Sequence, residues 1–197
     1  MLVPGPLAQL TGGYVYDTRM AAGLRHLGWE LTVHELTGNF APADSQAETA
    51  LSRTLSELPT GARVLIDGLA MGELPKPLRE HHQRLQLLAL VHHLLADETG
   101  LTSNEQARVA ASEREALATC IGILVTSNFT ARRMRMVGVP PAHVRTVIPG
   151  TDPARPAQGP SPGVPPQLLC VASVIPRKGQ DVLIRALAQL KNVAWTC

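Results

Sequence analysis

Short apolar segments alternate with amphipathic helical patterns along most of this chain, and that rhythm constrains its fold more than any other feature. RVLID at Arg63–Asp67, the run from Leu85 to Val91 and the segment Gly122–Thr126 are apolar without the polar-apolar alternation of a half-exposed strand. Strands of that kind are buried on both faces, which happens in parallel sheets covered by helices. Shorter strands are expected at Met1–Pro4, Leu31–Glu35 and Val144–Ile148. Between them, Met20, Leu24 and Leu27 recur at helical spacing ahead of Gly28, and Leu51, Leu55 and Leu58 form a stripe on a helix from Ser45. Pro75 opens a short helix to Arg84. Thr102 and Glu105 form a capping box for a helix reaching Cys120, and Ser127 is a suitable N-cap for Asn128–Val137. The pattern predicts an α/β domain, a parallel sheet with helices on both faces.

The rhythm stops at Pro149. Ten of the eighteen residues from Pro149 to Pro166 are Pro or Gly, which excludes a helix or a central strand and predicts a semi-rigid linker. It then restarts with an expected strand at Leu168–Ser173, a helix at Gln180–Leu190 and the opening of a strand at Val193–Cys197. The predicted organisation is a domain over residues 1–150, a linker over 151–166 and the truncated beginning of a second domain over 167–197.

Composition excludes several functional classes. Eighteen Lys and Arg against sixteen Asp and Glu leave a net charge of +2, too balanced for a nucleic-acid coat. Cys120, Cys170 and Cys197 are odd in number and far apart, so neither a disulfide framework nor a zinc knuckle is expected, and a cytoplasmic location fits. The longest apolar stretch, Leu85 to Ala96, is broken by His92 and His93 and is too short for a bilayer. No signal peptide is expected.

G-x-G-x-x-G, the P-loop pattern, H-E-x-x-H and D-x-D are all missing, so no metal-binding motif is predicted. Three features remain, each in a loop leaving the carboxyl end of a strand, where doubly wound sheets bind ligands. Gly12 and Gly13 precede the first helix, where backbone N–H groups can meet an anion; a plain turn pair is the other reading. His92 and His93 end the fourth strand, where one can face a cleft and donate to a ligand; packing and solvation account for them equally well. Arg177 and Lys178, with Gly179, open the last helix, a suitable seat for a diphosphate or an ordinary basic loop. Asp97 and Glu98 are expected to be surface carboxylates. Arg132, Arg133 and Arg135 are expected on a solvated helix face, and His81 and His82 in water.

TGGYVYDTRMAAGLRHLGWELTVHEL, VHHLLADETGL, VTSNFTARRM, VRTVIPGTD and LLCVASVIPRKGQDVLIRALAQL together resemble the retaining glycosyltransferases of family 4. The resemblance spans nearly the whole chain. It implies the GT-B architecture, in which two Rossmann-like domains face each other, with the acceptor domain first. It further implies that His92 contacts the transferred sugar as the catalytic residue. Arg177 and Lys178, with Gly12 and Gly13, would bind the donor diphosphate, and His93, Gly150 and Asp152 would line the acceptor side. IPGTD stands where the family has P-N-G-x-D, so Gly150 and Asp152 carry over and the Asn does not; Leu94 stands where the family has Pro. The implied reaction is metal-independent, retaining transfer of a hexose from a nucleotide sugar to an unknown acceptor, with no cofactor beyond that donor. The family's two donor-domain glutamates have no counterpart here, so the chain is expected to be a fragment with little activity of its own. The alternative is a non-catalytic sugar- or partner-binding module whose last βα unit drives self-association. No nucleic-acid or integral-membrane partner is expected.

Overall fold

A computed structural model describes all 197 residues. It divides into two compact units, one of Met1–Asp97 with Leu101–Pro149, the other of Glu98–Gly100 with Gly150–Cys197.

The first unit is a six-stranded, wholly parallel sheet of Rossmann-like α/β type, with strand order β2-β1-β3-β4-β5-β6. The strands are β1 (Leu2–Pro4), β2 (His34–Leu36), β3 (Arg63–Asp67), β4 (Gln86–Val91), β5 (Gly122–Val125) and β6 (Val144–Thr146). The helices are α1 (Gly12–His26), α2 (Ser45–Glu57), α3 (Gly68–Met71), α4 (Pro75–His81), α5 (Ser103–Ala118) and α6 (Asn128–Met136). Parallel crossovers are right-handed. The chain steps one way from β1 to β2 and the other way ever after, so the first crossover and the later ones fall on opposite faces. The core records this. Ala47, Leu51 and Leu55 of α2, Leu78 of α4, Ala116 and Leu117 of α5 and Met134 of α6 pack with Val64, Ile66, Leu87 and Val91 on one face. Tyr16 and Ala21 of α1 pack with Val3 and Leu90 on the other.

Local signals place the helix ends. Thr102 accepts from the Glu105 amide while the Glu105 carboxylate takes the Thr102 amide, the reciprocal cap expected at α5. Ser127 accepts from the Thr130 amide at α6, and Asp44 from the Ala47 amide at α2. Strand β2 begins three residues later than expected, because its register with β1 starts at Leu2 opposite His34. Leu31 and Val33 precede it as partly buried residues against the α1-side core. The short helix α3 was not anticipated; the Asp67 carboxylate caps it by accepting from the Leu69 amide at 2.6 Å.

In the second unit the helix forms as α7 (Gln180–Leu187), but the two expected strands do not. Only an isolated parallel bridge joins Gln167 to Thr196. Leu169 is 87% exposed and Val174 90% exposed, so these residues have no packed face to hold a ladder. No helix of the protein is long and apolar enough to cross a membrane. Cys120, Cys170 and Cys197 are all free.

Candidate functional site

The reversal of direction at β1 creates a crevice beyond the carboxyl ends of β1 and β3, the place where open parallel sheets receive ligands. Three elements deliver side chains there. Helix α1 contributes Asp17, the end of β3 contributes Asp67, and the residue after β4 is His92. His92 Nε2 lies 3.2 Å from Asp17 Oδ1 and 3.5 Å from Asp67 Oδ2.

Two of the three are held from behind. Asp67 keeps one oxygen on the α3 cap and turns the other toward His92. The His92 carbonyl accepts from the Thr126 hydroxyl at 3.4 Å and the Thr130 hydroxyl at 3.2 Å. The edge of Tyr16 meets the His92 ring at 5.4 Å and 87°, and the Tyr16 hydroxyl donates to the Val147 carbonyl at 2.9 Å. Gly13 lies against the same ring, since a Cβ there would stand 3.5 Å from His92 Cδ2. Asp17 is completely buried, and its Oδ2 has no hydrogen-bond partner.

Burial dominates the electrostatics of this cluster. It pushes the Asp17 carboxyl up to about 6, against the hydrogen bond from His92, with the neighbouring Asp67 adding to the rise. Burial is also the largest influence on His92 and acts downward. The hydrogen bonds and charges of Asp17 and Asp67 together outweigh it, and the imidazole is raised to about 9. The two acids thus favour the protonated imidazole, and the cluster offers both hydrogen-bond donors and acceptors. It suits sugar hydroxyls better than phosphate.

An anion has a different seat in the same loop. Thr11 precedes α1 without a side-chain cap bond, and no acidic residue occupies the first turn, so the leading N–H groups of this fifteen-residue helix meet no capping side chain. Gly12 and Gly13 supply two of those groups.

The other expected residues are placed differently. His93 is exposed beside His92 and outside the Asp17 cluster. Gly150, Asp152, Arg177 and Lys178 are exposed residues of the second unit. There Arg177 Nε is bound by both Glu98 oxygens, at 3.0 and 3.3 Å, so neither is an unpaired surface charge. Arg133 departs from the solvated role expected of it. It forms a two-pronged ion pair with Asp97, at 2.8 and 2.5 Å, tying α6 to the loop after β4. His81 is half-buried and accepts from Arg84 Nε at 3.2 Å.

A cavity of about 370 Å³ lies elsewhere, lined by Leu94, Asp97, Gln106, Glu113, Leu117 and Arg133, and includes none of the cluster residues.

Sequence reasoning found His92 and Gly13 but passed over Asp17 and Asp67. The signal for Asp17 was its place on the stripe Gly13, Asp17, Ala21, where a carboxylate interrupts the buried side of α1. No protein-family model matches the chain, and no curated protein matches it significantly.

Proposed function

We propose that this protein takes part in glycosyl transfer from a nucleotide sugar, with the sugar at His92 and the diphosphate on the backbone N–H groups that open α1. One observation carries the reading: the uncapped helix start, through Gly13, lies against the Asp17–His92–Asp67 cluster at the switch point of a parallel sheet. N–H donors for phosphate oxygens and carboxylates for sugar hydroxyls thus occupy one loop region, which is the chemistry a nucleotide sugar presents. The resemblance of VHH, IPGTD and R-K-G-x-D to family 4 glycosyltransferases supports the same assignment.

The test is calorimetric titration of the chain with UDP-, GDP- and ADP-hexoses and with the free diphosphates. Saturable binding of one nucleotide series is expected. His92→Ala should weaken the sugar nucleotide more than the free diphosphate. Absence of binding to every nucleotide, or binding indifferent to that substitution, refutes the proposal.

A non-catalytic, self-associating module is the second reading, favoured by the exposure of Leu169, Val171, Val174 and Ile184 in the second unit. Light scattering distinguishes it: a dimer that Val174→Asp or Ile184→Asp dissolves supports it, and a monomer at all concentrations excludes it.

A further inference from the structure

We propose that Asp17, Asp67 and His92 bind a divalent first-row transition metal, with Zn²⁺ the ion whose bond lengths these side chains fit best. One imidazole nitrogen and two carboxylate oxygens would hold it. The inference goes beyond the glycosyl-transfer reading and departs from the metal-independent reaction that the resemblance implies.

The spacing is the first support. Bonds of about 2.0–2.1 Å to a tetrahedral ion place its ligand atoms about 3.3–3.4 Å apart. Two of the three edges are already near that length, at 3.2 Å and 3.5 Å from His92 Nε2, and all three ligand atoms lie within 4.8 Å of one another.

The second support is the orphaned oxygen. A simple ion triad, imidazolium between carboxylates, accounts for both His92 distances but leaves Asp17 Oδ2 buried with no donor. A buried carboxylate oxygen without a partner is costly, and a cation at the carboxylate offsets that cost. Asp17 also has no lysine or arginine as an ion-pair partner; His92 and the second acid Asp67 face it.

The third support is the outer scaffold. The Leu69 amide fixes the second oxygen of Asp67, Tyr16 braces the His92 ring, and Thr126 and Thr130 hold the His92 backbone. Partners of this kind orient metal ligands and sustain their affinity. Three protein ligands leave one position for water or a substrate oxygen, the arrangement of zinc sites that perform chemistry.

The test uses the full chain carrying Cys170→Ser and Cys197→Ser, stripped of metal and titrated with Zn²⁺ and with Co²⁺ as an optical probe. One equivalent is expected to bind, with visible absorption of four-coordinate intensity and no thiolate charge-transfer band. Asp17→Asn, Asp67→Asn and His92→Gln should each lower affinity at least about 10-fold, the loss that even an outer partner can produce. His81→Gln should change nothing. Zn²⁺ should also raise the thermal midpoint of the parent and not that of His92→Gln. His92 is partly exposed and Asp67→Asn keeps the oxygen that caps α3, so these two variants decide the matter if Asp17→Asn does not fold. No binding, a thiolate band, or equal binding in the folded variants overturns the proposal. Nucleotide titration of the same metal-free protein reads the glycosyl-transfer assignment separately.

Discussion

Glu113 offers a quantitative check on the packing around the β4–α5 loop. Its side chain is 5% exposed and accepts from the Leu95 amide at 2.8 Å and the Ala96 amide at 3.4 Å. Burial pushes its carboxyl from the ordinary 4.5 up to about 7, the two amides oppose that rise, and the charges of Asp97 and Glu73 add to it. For an acid whose folded value is raised, the native state keeps a proton that the unfolded chain has already lost. Stability therefore falls as pH climbs from 4.5 to 7 and is level above. At about 1.4 kcal/mol per pH unit, that window corresponds to about 3 kcal/mol, with little screening at so buried a position. Glu113→Gln preserves shape and an acceptor oxygen but cannot titrate. Urea unfolding followed by circular dichroism at pH 4.5, 6 and 8 should show the wild type losing about 3 kcal/mol relative to the variant across the series. Parallel stability profiles for the two proteins would refute the account of Glu113 as a buried, proton-holding acid.

Leu87→Ala, at a fully buried position on β4, should cost about 2–5 kcal/mol in urea unfolding, whereas Leu169→Ala, at an exposed one, should cost less than about 0.5 kcal/mol. Thr102→Ala removes one half of the capping box at α5 and should cost about 1 kcal/mol, read as a lower thermal midpoint. Gly38 adopts φ 111° and a Cβ there would fall 2.3 Å from the Ala47 amide nitrogen, so Gly38→Ala should destabilise by about 1–3 kcal/mol or more through backbone displacement at the start of α2.

The sheet was legible because its strands advertise burial on both faces. Strand β3 falls on the predicted residues, and the capping box places the start of α5. Failures follow from information that a linear pattern does not carry. Leu168–Ser173 has strand composition, yet strand composition without a covered face leaves only one bridge. The Asp17–His92 contact joins residues 75 positions apart, and no spacing rule announces it. Glu113 and Asp17 share a readable trait all the same. Each is an acid on the apolar stripe of its helix, Glu113 among Val109, Ala116 and Leu117, and such interruptions mark carboxyls that tertiary structure must accommodate.

Helix α1 is the lone helical contributor to the second core cluster, and it also presents Gly13 and Asp17 to His92. Seating the helix and setting the geometry of the cluster are thus mechanically one operation. Enlarging Ala21, which has almost no free surface, would lift the helix and widen the gap around the imidazole at the same time. Variation that retunes the cluster from α1 must also refit a sheet, so adaptive change has more freedom in the loops after β3 and β4 than in the helix between β1 and β2.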